Sequence, residues 1–158
     1  MPIRRIGEVL EQDEAASTAP AKQLTTIEKR QKADRDARRS KALVEMLDNI
    51  SCAREFVMGM DFVDFLSDRK TKYAVIMCLT IIGKRLRFIP PAERKKIADV
   101  PWRSIQATIR IASQQEWGVV ERLIWETLDE DLPALKRALE HLVKDLAVKP
   151  IPVIGDEE

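Results

Sequence analysis

The sequence predicts an all-α fold, an antiparallel bundle of four to five helices with a flexible charged N-terminal extension. Apolar residues recur at three- and four-residue spacings in long stripes, the period that places them on one helix face. No stretch alternates apolar and polar residues, and neither Asn-Gly nor Asp-Gly is present to close a hairpin. The connections between the stripes are short, as between neighbouring helices of a bundle.

Residues 1–40 read as a charged leader. Glu11–Pro20, EQDEAASTAP, offers too little apolar surface to offset the entropy of ordering, so residues 1–24 are expected to be flexible. Thr26 is a candidate N-cap for the run that follows, in which Lys29, Arg30, Lys32, Arg35, Arg38, Arg39 and Lys41 face Glu28, Asp34 and Asp36. That run suits a helix but has no face to bury. It reads as a solvated helical extension, or as a basic arm for RNA or an acidic partner.

Residues 41–148 carry the bundle. Leu43, Met46, Leu47, Ile50, Ala53, Phe56 and Val57 form one stripe, which places a first core helix over about 41–58 with Gly59 as its stop. Asp61 caps a short turn. Tyr73–Ile82, YAVIMCLTII, is apolar almost all round, as in a central helix over about 70–88 that ends before Pro90 and Pro91. Pro91 opens a short helix. Pro101 opens one over 101–116 whose stripe is Trp102, Ile105, Ile109 and Ala112. Gly118 interrupts the chain before a shorter helix near 119–128. Asp131 and Pro133 then start a final helix over 132–147, striped by Leu135, Ala138, Leu139, Leu142 and Leu146. Residues 149–158 form a Pro-rich acidic tail.

Lys and Arg number 27 against 26 Asp and Glu, so a net charge of +1 gives no general attraction to nucleic acid or to an anionic membrane. Any electrostatic function must come from local patches. Cys52 and Cys78 lack the paired spacing of a zinc site and read as reduced, buried thiols. No apolar run reaches the length of a membrane span, and no export signal is evident, so a cytosolic protein is expected. Asp61, Asp64 and Asp68 fit helix capping better than a calcium loop, and Glu126, Asp129, Glu130 and Asp131 read as helix-end charges. Neither metal nor cofactor is expected. His141, the single histidine, reads as an exposed helix residue, and Trp102 and Trp125 as core. Trp117, beside Gly118, is left open.

Leu43 to Val143 resembles the HepT-like branch of the HEPN superfamily. Four patches carry the likeness: FVMGMDFVDFLSD at Phe56–Asp68, LTIIG at Leu79–Gly83, VPWRSI at Val100–Ile105, and IWETLDEDLPAL at Ile124–Leu135. The resemblance implies a HEPN-like helical bundle, a homodimer and metal-independent RNA cleavage. It also implies an Arg, four residues, His, one residue, Tyr motif just after the Pro-Trp patch, in which His moves protons and Arg steadies phosphate charge. Counted without gaps from Trp102 and from Trp125, the motif falls on Ile109, Gln114 and Glu116, so all three side chains are replaced. Sliding by one residue gives Arg110, Gln115 and Trp117, which recovers the cation but no group that titrates near neutral pH. Lys84 stands where the family has Glu.

The implied partners are a second copy, for which the run Ile105–Ala112 offers an apolar contact, RNA, and a minimal nucleotidyltransferase antitoxin. Such an antitoxin modifies the motif Tyr in this family. With Glu116 there, it would have to act by binding. The reading that follows is a HepT-like protein of a toxin–antitoxin-like system that has lost catalysis and acts through dimerisation and partner or RNA binding. One alternative is an active ribonuclease with a rearranged site using Arg103, Arg110 or Lys84. The other is a nucleic-acid-binding accessory protein that uses Lys29–Lys41 together with Lys84, Arg85 and Arg87.

Overall fold

The computed structural model describes the backbone of residues 7–114 and 120–148 and the side chains of residues 25–114 and 120–147. The elements in chain order are α1 (Gly7–Phe56), α2 (Phe62–Ser67), α3 (Arg69–Arg85) with a 3-10 turn (Leu86–Phe88), α4 (Pro91–Arg94), α5 (Trp102–Ser113), α6 (Val120–Glu126), a π-turn (Thr127–Asp131) and α7 (Leu132–Val148). The all-α expectation holds, with no strand among the described residues. Of the segment read as a flexible leader (residues 1–24), the backbone from Gly7 onward belongs to α1, which therefore starts well before the helix expected over 41–58; its side chains and the tail (residues 149–158) lie outside those described.

The chain divides into two compact units, Met1–Arg38 and Arg39–Glu158. In the first, every described side chain, residues 25–38, is exposed. Arg38 pairs with Asp34 one turn earlier at 2.9 Å, a solvated contact of the kind that contributes little.

The second unit contains the core. Leu43, Met46, Ile50 and Ala53 of the stripe read from the sequence are completely buried and Leu47 and Val57 pack against the core, but Phe56, at the end of the helix, is exposed. The helix stops at Phe56, and a turn follows in which Gly59 takes φ +77°, a left-handed conformation that costs glycine nothing. Asp61 then caps α2. Its carboxylate accepts from the Asp64 backbone N–H at 2.8 Å, while Asp64 accepts from the Asp61 N–H at 3.1 Å. This reciprocal box satisfies two donors that a helix start leaves free. Asp68 repeats the device for α3, accepting from the Thr71 backbone N–H at 3.0 Å and the Thr71 hydroxyl at 2.8 Å. Those bonds hold its carboxyl below the usual aspartate value. The three aspartates therefore serve as the caps expected of them.

α2 packs on α3 and α6, α3 on α5, and α5 on α6 and the π-turn. Phe65 of α2 is fully buried with its ring 5.3 Å from Trp125, a burial worth about 1.5–3 kcal/mol. Trp102 caps the other end, its indole N–H shared between the carbonyls of Arg94 and Ile97 at 3.1 Å. Both tryptophans pack against the core as expected. Tyr73 departs from expectation: it is 37% exposed, with the Arg69 guanidinium 5.5 Å from its ring centre. Among the described residues three ion pairs tie elements together, namely Arg39 with Glu93, Arg85 with Glu45 at 2.6 Å, and Lys72 with the buried Glu121 at 3.7 Å.

The sequence reading separates a helix near 119–128 from one starting at 132, but α6 and α7 are joined through the π-turn. Pro133 supplies the reason. It has no N–H to donate and its ring crowds the carbonyl four residues back, so the helix widens just before it, and the Leu132 N–H reaches Thr127, five residues back. Glu126, Asp129, Glu130 and Asp131 therefore lie within a helical run and not at its ends.

Candidate functional site

α5 carries Ile109, the first position onto which the resemblance places the motif, and is capped by Gln114, the second. Its inner face buries Ile105, Thr108 and Ala112, with Ile109 and Ile111 packed at the margin. Of the run Ile105–Ala112, read as a dimer contact, these apolar residues are thus taken up by the chain's own core. An apolar stripe says that a face is buried, not against what.

Ile109, read from the sequence as standing at the Arg position of the motif, lies against α3. A Cβ on Gly83 would come within 2.7 Å of the Ile109 Cγ2, so a glycine is what lets the two helices approach this closely. Lys84 and Arg110 each follow one of the two contacting residues, and both are exposed. Cations therefore flank the crossing. Arg103, Gln106, Arg110 and Gln114 are all exposed and recur at three- and four-residue steps, which aligns two guanidiniums and two amides along the outer face of α5. Gln106 was missed in the sequence, although its position three residues after Arg103 and four before Arg110 was the available signal. Gln114 ends the helix, its backbone N–H bonded to Ile111 at 3.0 Å. Gln115, Glu116 and Trp117 lie outside the described residues.

Of the other candidate cations, only Arg85 is in an ion pair among the described residues, and Arg87 is exposed. Arg85 holds Glu45, and the Arg87 guanidinium sits 5.0 Å from the centre of the Phe88 ring. Arg103, Arg110 and Lys84 belong to no ion pair among the described residues.

Behind α5 runs a polar seam, also missed. Thr127 donates to Thr108 at 3.0 Å in a fully buried contact, and Asp131 accepts from Ser104 at 3.2 Å and lies 3.4 Å from the Thr127 hydroxyl. Paired hydroxyls in the interior satisfy one another and fix rotation in a way apolar contacts do not. The seam sets which face α5 turns outward.

His141 is exposed on α7. Cys52 and Cys78 are free thiols, and burial, helped by the nearby Cys52 and Asp48, pushes Cys78 up to about 11. No cluster of metal-ligating side chains occurs among the described residues, and no described helix is long and apolar enough to cross a membrane.

The family model described as ribonuclease HepT-like matches residues 46–142, more than half of the chain and all of the elements that place α5. The chain belongs to the HepT-like family. A "Probable ribonuclease HepT" of Thermococcus cleftensis is 35% identical over 102 residues, covering 65% of this chain and 93% of that protein. A Methanocaldococcus jannaschii protein named "Putative RNase MJ0125" is 31% identical over 107 residues, covering 68% of this chain and 92% of that one. No solved structure matches the chain significantly. The match begins at Met46, so the charged residues 25–38 stand outside the HepT-like part, whereas Gly83, Ile109 and Gln114 stand within it.

Proposed function

We propose that this HepT-like protein is a homodimer that holds RNA phosphates on the outer face of α5 and the adjoining end of α3 without cleaving them. One observation carries the reading. Cations at Arg103, Arg110 and Lys84 are exposed and belong to no ion pair among the described residues, while the positions read as the motif's hold Ile109, packed on Gly83, and Gln114, an amide. Arg and Lys stabilise phosphate charge, but an amide neither gives nor takes a proton at neutral pH. Forfeiting a positioned acid–base group costs about 10² to 10⁴ in rate. A nucleotidyltransferase antitoxin, if paired with this chain in a toxin–antitoxin-like system, finds Glu116 at the position of the modifiable Tyr and acts on it by binding. A cytosolic location is consistent with two free thiols.

The test is a gel-shift and cleavage assay on one labelled RNA. The expected result is binding that weakens steeply with salt and no turnover above background. The triple change Ile109→Arg, Gln114→His and Glu116→Tyr should restore some cleavage, with single changes doing far less because such groups act as a unit. Cleavage by the unmodified protein that Arg110→Ala abolishes and Gln114→Ala leaves intact would overturn the reading in favour of a rearranged active site.

A further inference from the structure

A cleft of about 510 Å³ opens between the end of α1, the turn after it, the π-turn and α7. Trp125 and Leu128 give it apolar walls, and Met58, also in its lining, is 77% exposed. Arg54 and Lys136 bring two cations to the same lining, Glu55 and Asp129 two carboxylates. None of these four is in an ion pair among the described residues. The chain itself supplies a segment of matching chemistry. Residues 149–158, KPIPVIGDEE, follow α7 and lie beyond both the HepT-like match and the described residues. They set the apolar Ile151, Val153 and Ile154 before three acids, Asp156, Glu157 and Glu158. Pro150 and Pro152 bar those apolar groups from continuing the stripe of α7.

We infer that residues 149–158 fold back along α7 and close this cleft, seating Val153 and Ile154 against Trp125 and Met58 and setting the three acids toward Arg54 and Lys136. The reach fits. Lys136 stands twelve residues before the end of α7, about 18 Å at the helical rise. An extended, proline-bearing segment covers about 3.1 Å per residue, so the six residues from Lys149 to Ile154 return about 19 Å. The track is apolar as well: Val143 and Ala147 follow Lys136 by seven and eleven residues, which places them on its face of the helix, and both retain contact with solvent. Tethering gives the segment an effective concentration of about millimolar order, so a contact too weak to hold a separate peptide suffices. The tail is then a cover built into the chain, which any other occupant of the cleft has to displace. The inference stands apart from the RNA reading above, since it uses none of the cations assigned to that role.

The experiment is oxidation of the full chain by dilute hydrogen peroxide, which converts exposed methionine to its sulfoxide, followed residue by residue by mass spectrometry. Met58 reports on the cleft. Met77, 61% exposed on α3 and outside the cleft lining, is the reference, and the fully buried Met46 shows that each variant is folded by staying unoxidised. Relative to Met77, Met58 of the wild type should react about threefold or more slowly than in the variant Ile151→Asp, Val153→Asp, Ile154→Asp, as for a tail docked about two-thirds of the time or more. Arg54→Glu with Lys136→Glu should uncover Met58 in the same way, and adding Asp156→Lys, Glu157→Lys and Glu158→Lys should restore its protection. A Met58 rate that is the same in the wild type and the tail variant overturns the inference. Protection that fades on dilution of the protein also overturns it, because a tethered segment docks independently of concentration whereas a second copy or another partner does not.

Discussion

The two faces of α5 are built from the same twelve residues and the Gln114 cap that follows them yet answer to different physics. Inward, Ile105, Thr108 and Ala112 are closed off from water, so each contributes to stability through the volume it fills or the bond it completes. Outward, Arg103, Gln106, Arg110 and Gln114 touch solvent, where a side chain can change with little effect on folding. One helix thus separates what holds the protein together from what it presents to a partner.

The sharpest way to break that contrast is Ile105→Ala, expected to cost about 2–5 kcal/mol in urea unfolding while leaving the RNA affinity of the folded protein unchanged. Gly83→Ala comes next. The new methyl meets Ile109, and overpacking of this kind costs about 1–3 kcal/mol. In an Ile109→Ala background the same change should instead stabilise, because the obstacle is gone and Ala exceeds Gly in helix propensity by about 1 kcal/mol. Equal effects in the two backgrounds would mean that the contact is not what matters. Thr127→Val strands the Thr108 hydroxyl and should cost about 1–3 kcal/mol, whereas Thr108→Val and Thr127→Val together should cost less than the single change. On the outer face, Arg110→Ala should alter stability by less than about 0.5 kcal/mol and lower the salt slope of RNA binding by about one.

The thiols extend the inside–outside contrast to α1 and α3. Cys52 is half-buried and Cys78 buried, so alkylation at pH near 8 should label Cys52 first and Cys78 only as the protein unfolds. The folded-state value of Cys78 lies above its ordinary 9.0. Its contribution to stability is therefore complete at lower pH and is lost as pH rises from there toward about 11.

The sequence made the inner face of α5 legible because a buried stripe obeys the helix period whatever it packs against. The caps at Asp61 and Asp68 were legible for a similar reason, since a carboxylate before a helix has few other local uses. What covers a stripe is a tertiary fact. The run Ile105–Ala112 reads equally well as interface or as core, and it is the burial of Ile105 and Ala112 and the proximity of Gly83 to Ile109 that place its apolar residues in the core. The seam of Ser104, Thr108, Thr127 and Asp131 was hidden too, because hydroxyls 19 residues apart give no joint signal in the sequence. The same limit hid the pairing of Arg85 with Glu45 and left it among the candidate binding residues.

The π-turn also had a trace in the sequence. Val120, Ile124, Leu128 and Leu132 are all buried and follow one another at steps of four. On a regular α-helix each such step slides the stripe about 40° around the axis, so three in succession would carry it off the core. The wide turn winds the chain back by that drift and returns Leu135, Leu139 and Leu142 to the inside. It acts as a phase corrector between two stretches of helix whose apolar repeats do not match. Any change that let residues 127–131 relax into ordinary α-helix would rotate α7 against the rest of the core, and the penalty would be felt along its whole length instead of at the point of substitution.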